Sequence, residues 1–514
     1  MDSTWGQWLL GLATVAGFFA AVAAGVALLI WAPLERPSGR PARWLPRLRQ
    51  HATRANENLH RVRLPAPLTR RLERLARHPA RLVVAGFAGA VVVGWALLMF
   101  PAATESGHAA GAVTALFTST SAVCVTGLVI EDTGSYWSAF GEFIILGLIQ
   151  IGGFGIMTMA SLLGLLVAGR LRMRLQLGTQ AETKAMGVGD VRRVVLGVLR
   201  ISLLVEALVA ATLTWRFADG YGLPWGRAVY LGVFHAVSAF NNAGFGLYPD
   251  SLMRFVGDPA ICLPICAAVV IGGLGFPVLF ELRRALRTPR KWSLHTAVTV
   301  RMTGALLAGG WVLITWAEWA NTATLGRLGV PEKLLAGFTT AVMPRTAGFN
   351  SVDLAQMHDV TLLVNDVLMF IGGGSAGTAG GIKVTTFALL GFVILAEIRG
   401  EPSVHTRERR LPATIQRQAL TIALLSIGLV MTATLAMLAL TPFGLNQVLF
   451  EVTSAFATVG MTTGITPAVG TAGHLILIAL MFIGRLGPVT AAAALALRHR
   501  TRRYELPEER TIVG

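Results

Sequence analysis

The chain has 514 residues, 54% hydrophobic and 14% charged, with a formal net charge of +17. So few charged side chains cannot cover a soluble protein of this length. Arg and Lys lie in clusters between apolar runs and not in one patch, which sets membrane topology ahead of nucleic-acid binding as the use of the charge.

Residues 3–34 carry no charge and include an apolar run from Leu9 to Trp31, long enough to cross about 30 Å of hydrocarbon. A signal peptide wants a positive n-region; here Asp2 is the only charge before the run, and the basic residues follow it. The expectation is a retained transmembrane helix over 1–34 with its N-terminus outside, then a basic cytoplasmic linker over 35–80. Residues 35–81 hold thirteen Arg against three Glu.

From there a unit repeats four times: a spanning helix M1, a short apolar helix ending at a glycine, and a second spanning helix M2. The marker is a phenylalanine ten residues before a glycine: Phe117/Gly127, Phe234/Gly244, Phe338/Gly348 and Phe450/Gly460. The glycines are 117, 104 and 112 residues apart, far longer than a solenoid repeat. The first unit (81–190) has M1 at Leu82–Phe100, a pore helix at Ala112–Cys124 and M2 at Ala139–Ala168. The second (191–292) has Val191–Trp215, Ala228–Phe240 and Pro259–Leu279. The third (293–414) has Leu294–Trp316, Glu332–Met343 and Val360–Ile398. The fourth (415–500) has Ile415–Leu440, Asn446–Ala457 and His474–Leu497, and a cytoplasmic tail occupies 501–514.

Basic clusters at Arg170–Arg193, Arg283–Arg301, Arg399–Arg417 and Arg498–Arg510 flank the spans, while residues 101–138 and 441–484 contain no Lys or Arg. That asymmetry puts both ends of every unit, and the C-terminus, in the cytoplasm. The predicted architecture is an all-α integral membrane protein: nine spans and four re-entrant segments arranged as a pseudo-fourfold pore.

Helices that stop inside the bilayer are tolerated where the broken backbone is buried in protein or lines water. Each also aims its negative C-terminal end at that path, which favours a cation. The turns are Val125-Thr126-Gly127, Asn242-Ala243-Gly244, Thr346-Ala347-Gly348 and Thr458-Val459-Gly460. Glycine admits backbone angles that let successive carbonyls face one way and replace an ion's water shell. Glycines also mark close helix contacts, so one such turn means little; four at one offset from Phe do not arise that way.

TSTSAVCVTGL, SAFNNAGF, MPRTAGFNSVD and SAFATVGMTTG resemble the four pore loops of the Trk/Ktr/HKT superfamily of potassium transporters, over about residues 81–500. The resemblance implies a K+ site at Gly127, Gly244, Gly348 and Gly460. Sodium-preferring plant relatives have serine at the first of these; Gly127 implies a potassium-permeable filter. It further implies a homodimer in the plasma (inner) membrane, regulated by cytosolic RCK/KTN nucleotide-binding subunits, for which the basic loops are available. The N-terminal helix and linker are not typical of the shorter Ktr subunits.

A second repeat lies in M2: GGFG (Gly152–Gly155), GGLG (Gly272–Gly275), GGGS (Gly372–Ser375) and GRLG (Gly484–Gly487). Arg485 thus stands where the other units have Gly153, Gly273 and Gly373. An intramembrane arginine needs water or a partner. It is either a cation below the filter or an arginine bonded to a helix-end carbonyl for packing, and the GR-x-GP motif of the resembled family lies at the matching place. In the third M2, Gly372-Gly373-Gly374-Ser375-Ala376-Gly377-Thr378-Ala379-Gly380-Gly381 breaks the helix near mid-membrane. Its GxGxxG spacing lacks the strand and βαβ unit of a dinucleotide site, and no nucleotide is expected on this chain. The family resemblance makes it a gating loop. Lys383 beside it either binds carbonyls when closed or snorkels to the interface.

Asp132, Asp250 and Asp353 follow their turns closely and are either outer-mouth charges or ordinary loop acids. Glu451, in an apolar pore helix, is expected to be hydrogen-bonded behind the filter. Glu206 and Glu318 are the only acids that raise proton coupling. Cys124, Cys262 and Cys266 read as small buried side chains without metal-ligand spacing. Potassium uptake, with sodium stimulation an option, is the leading reading. A proton- or sodium-coupled symporter is the alternative, and no enzyme motif is present.

Overall fold

The computed structural model describes residues 79–176, 188–406 and 409–497. The expected N-terminal helix, nearly all of the basic linker and the tail at 501–514 lie outside the described residues. The architecture is helical throughout; the described residues add one two-stranded pairing, His405–Thr406 with Arg409–Arg410.

The first unit comprises α1 (Pro79–Leu98), α2 (Ala112–Val123) and α3 (Ala139–Gln176), and the second α4 (Val188–Trp215), α5 (Trp225–Phe240), α6 (Pro259–Leu274) and α7 (Phe276–Ala285). The third has α8 (Leu294–Glu318), α9 (Val330–Val342), α10 (Asp359–Phe370) and α11 (Val384–Ile398). The fourth has α12 (Ala413–Leu440), α13 (Leu445–Ala457) and α14 (Gly470–Leu497). Four helices with described side chains are long and apolar enough to cross a membrane by themselves: Val194–Gly220, Leu294–Glu318, Ala413–Leu440 and Gly470–Gly487. Their outer faces expose Trp316, Leu424 and Leu435, apolar side chains that suit lipid.

The units close on one another. Each M2 packs on the pore helix of the next unit: α3 on α5, α6 on α9, α10 on α13, and α14 back on α2. Of the four marker phenylalanines, Phe117, Phe234 and Phe450 are fully buried. Phe338 is half-buried and meets the Trp311 ring edge-on at 5.7 Å.

The second M2 is not the single span Pro259–Leu279 expected from its hydropathy. It bends by 99° between α6 and α7. Gly275 at the corner has φ +91°, Pro277 follows, and a proline supplies no N–H to continue a helix across the corner. The Phe276 N–H bonds the Ala376 carbonyl in the third unit instead, at 3.3 Å. Two M2 segments are therefore broken partway along, and each break packs on the other.

Candidate ion pathway

The four short helices end alike. The residue two before each glycine is left-handed: Val125 (φ 56°), Asn242 (φ 58°), Thr346 (φ 68°) and Thr458 (φ 51°). Valine and threonine are β-branched and disfavour this region strongly, so the surroundings must over-determine it. In three turns the N–H of the residue before the glycine returns at 2.8 Å to the carbonyl six before the glycine: Thr126 to Ser121, Ala243 to Ser238 and Val459 to Ser454. In the first and last, the serine hydroxyl also accepts the glycine's own N–H, at 3.0 Å for Gly127 and 3.1 Å for Gly460. The third turn is different: Ala347 N–H bonds the Met343 carbonyl at 3.0 Å.

The glycines form a ring. A methyl on Gly244 would lie 2.8 Å from the Ala347 oxygen and 3.0 Å from Gly348 Cα; one on Gly348 would lie 2.5 Å from the Val459 oxygen and 3.2 Å from Gly460 Cα. A methyl on Gly460 would overlap the Thr126 oxygen, and one on Gly127 the Ala243 oxygen. The carbonyl before each glycine therefore abuts the preceding glycine in the cycle, and the order 127, 244, 348, 460 closes on itself. All four glycines have positive φ. This arrangement puts peptide oxygens from four quarters round one axis.

The first glycine of the M2 motif has a separate job. Methyls on Gly152, Gly272 and Gly484 would overlap the carbonyl oxygens of Val123, Phe240 and Phe456, each four before its turn glycine. Each M2 thus presses on the end of its own pore helix. In the third unit the corresponding residue is Pro344, and Gly372 instead abuts Gly380.

The segment from Ile371 to Lys383 leaves α10 and returns to α11 through a neck where Ile371 pairs with Ile382. It lies beneath the ring. Gly374 N–H bonds the Gly273 carbonyl at 2.7 Å, and Thr378 N–H the Gly272 carbonyl at 3.2 Å. The Thr378 hydroxyl donates to Asn242 Oδ1 at 2.7 Å. The Thr378 carbonyl accepts from Arg485 Nη1. Gly380 has room for no methyl because Thr458 Oγ1 occupies the space. Lys383 Nζ donates to the Ala379 carbonyl at 2.5 Å and to Gly380 at 3.3 Å. Of its two sequence alternatives, the lysine adopts the carbonyl-binding one here. Arg485 is 3% exposed and bonds this loop, not a helix-end carbonyl.

A second buried arginine was not singled out from the sequence. Arg345, three before Gly348 and also 3% exposed, donates to the Ile371 carbonyl at 2.9 Å and to Gly372 at 3.3 Å. Its own carbonyl accepts from Asn242 Nδ2 at 3.0 Å. An arginine inside the apolar run VMPRTAG is the signal that would have found it. The serines six before the turn glycines were equally legible, as the Ser-Ala pair that recurs in three of the four loops.

Glu451 is buried behind the fourth turn and accepts the hydroxyls of Thr462 (2.8 Å) and Thr466. Its carboxylate spans from the pore helix to the outgoing chain. In the second unit His235 occupies the same place after the marker Phe and accepts the Leu247 N–H at 3.4 Å. Glu318 is fully buried and holds the outer loop, accepting from Thr324 (2.6 Å), Thr361 (2.5 Å), Asn321 (2.7 Å) and the His358 N–H (3.0 Å). Asp132 caps Ser135 at 2.9 Å, Asp353 caps Ala355 at 3.0 Å, and Asp250 pairs with Arg254 at 2.7 Å. These three acids are engaged in local loop bonds. Burial raises the Asp250 carboxyl, but the Arg254 bonds outweigh it and leave the group below the usual range. All three cysteines are free and buried.

Four re-entrant turns closed into a ring, inside a bundle with membrane-spanning helices, define an integral membrane protein of the cation-transport class. Comparison with known families agrees: the TrkH family, described as "Cation transport protein", matches residues 78–505, and the chain belongs to it. It is 39% identical over 414 residues to the Ktr system potassium uptake protein B of Bacillus subtilis, covering 80% of this chain and 92% of that one. It is 33% identical over 442 residues to the potassium/sodium uptake protein NtpJ of Enterococcus hirae, covering 85% and 97%. The potassium transporter TrkH from Vibrio parahaemolyticus shares the fold, with a TM-score of 0.63 over 98% of this chain and 99% of that chain at 16% identity.

Proposed function

We propose that this chain is the ion-conducting subunit of a potassium uptake system, with the filter formed by residues 125–127, 242–244, 346–348 and 458–460. The observation that carries the reading is the closed ring of glycine-terminated turns. The carbonyls of the four turns offset the dehydration of K+, and the membrane potential drives entry, at about 2.3 kcal/mol per charge per 100 mV. The relatives' names support K+ as cargo and keep Na+ as a co-cargo or stimulant. Residues 372–381, with Lys383 and Arg485, act as the gate: their bonded state below the ring blocks the path and puts positive charge on it. The protein works as a homodimer with cytosolic nucleotide-binding partners, its four pore units being residues 81–190, 191–292, 293–414 and 415–500.

The test is rubidium uptake by reconstituted protein under a clamped potential. Gly244→Ser puts a side chain at φ +71°, where even a Cβ lies 3.0 Å from Gly348 Cα. The K+/Na+ permeability ratio is expected to fall about tenfold, the effect of about 1.4 kcal/mol. An unchanged ratio in a folded variant refutes the filter assignment.

A further inference from the structure

Behind the second turn lies a polar cluster that the filter and the gate do not use. Glu206, on α4, is 6% exposed. Gln150 Nε2, on α3, donates to its two carboxylate oxygens at 3.2 and 3.3 Å. Asn241 Nδ2, at the end of α5, donates to Glu206 Oε1 at 3.1 Å and to Gln150 Oε1 at 2.8 Å. Asn241 immediately precedes the left-handed Asn242. Its side chain fits because the facing M2 residue is Gly153, where a methyl would overlap Asn241 Oδ1. Among the described residues the carboxylate bonds only neutral amides, and no Arg, Lys or His pairs with it.

A buried carboxylate without a counter-cation is costly, and its amide donors are too few to repay that cost as a strut alone. Asn241, which bonds the carboxylate, adjoins Asn242 of the second turn, so a cation held at that turn is a charge able to balance it. The acid also joins two units, α3 of the first to α4 and α5 of the second, on the seam where adjacent turns meet. Glu451, by contrast, is bonded to hydroxyls within its own unit.

We propose that Glu206 is a positioning and charge-setting residue: the negative charge of its carboxylate form, transmitted through Asn241, sets how tightly the pathway holds a monovalent cation. This rests on the filter reading above. The charge attracts any monovalent cation, so it acts on affinity more than on the choice between K+ and Na+.

The test is concentration-dependent rubidium uptake by purified protein in liposomes, comparing Glu206→Gln with Glu206→Leu. Glutamine keeps hydrogen-bonding capacity and removes the charge; leucine removes both. The proposal expects both to raise KM for Rb+ about tenfold, the reach of one charge across a low-dielectric gap, with kcat unchanged. A normal KM in Glu206→Gln with a defect only in Glu206→Leu means a strut and overturns the proposal. If the acid variants do not fold, as read by thermal unfolding, Gln150→Leu decides. It removes one of the carboxylate's two amide donors, and with it two of its three hydrogen bonds, so the acid takes up a proton and KM rises in the same direction; an unchanged KM overturns the proposal. A wild-type protein that moves Na+ and not Rb+ overturns the potassium reading alone, and the same three variants are then compared with Na+.

Discussion

At the scale of single residues, the left-handed β-branched positions are the most telling. Val125, Thr346 and Thr458 adopt a conformation that such residues avoid, and they do so at one offset in three units. The return bonds to Ser121 and Ser454 and the abutting neighbour turns hold it against that preference. Arg485 is the second telling residue, since its guanidinium grips the loop carbonyl that also connects, through the Thr378 side chain, to the ring. Arg485→Ala is expected to release that loop and raise rubidium flux about tenfold, the consequence of losing a charge-assisted bond of about 1.5–3 kcal/mol. Flux at or below wild type, with normal expression, removes Arg485 from the gate.

At the scale of elements, each pore helix is too short to span, and two of them, α5 through His235 and α13 through Glu451, carry a side chain that ties down the outgoing chain. Glu451 is the strut of α13, and it was legible as a carboxylate in an apolar run. Its partners were not, because Thr462 and Thr466 reach it only when the chain after Gly460 doubles back. Glu451→Leu strands those hydroxyls and is expected to cost about 1–3 kcal/mol. Thermal unfolding in detergent should show a lowered midpoint that Glu451→Gln partly restores; an unshifted midpoint for leucine means the strut carries no stability. The break at Gly275 went unread because hydropathy is continuous across GGLGFP. The glycine and proline that permit the corner are common in membrane helices, and only the partner loop of the third unit requires it.

At the scale of the whole molecule, the ring closes because each M2 packs on the next unit's pore helix in one rotational sense. The expectation from the sequence is that the basic clusters set which way it faces. With the native cysteines buried, introduced thiols report the orientation. Glu131→Cys, in the exposed loop after the first turn, is expected to react with an impermeant maleimide from outside intact cells, and Ser403→Cys only after permeabilisation. The reverse pattern overturns the topology and with it the direction of the filter.

The four-unit plan, the turn glycines, the broken third M2 and the odd arginine at 485 were all determined by the sequence alone. Each is a matter of hydropathy or of a residue type at a fixed offset, and those are local properties. The tertiary structure alone decided the cyclic contact of the glycines, the corner in the second M2, the clasp of Arg345 on the loop neck and the Gln150–Glu206–Asn241 cluster. Those depend on contacts between residues from about 25 to well over 100 positions apart, and a single sequence carries no distance information at that range.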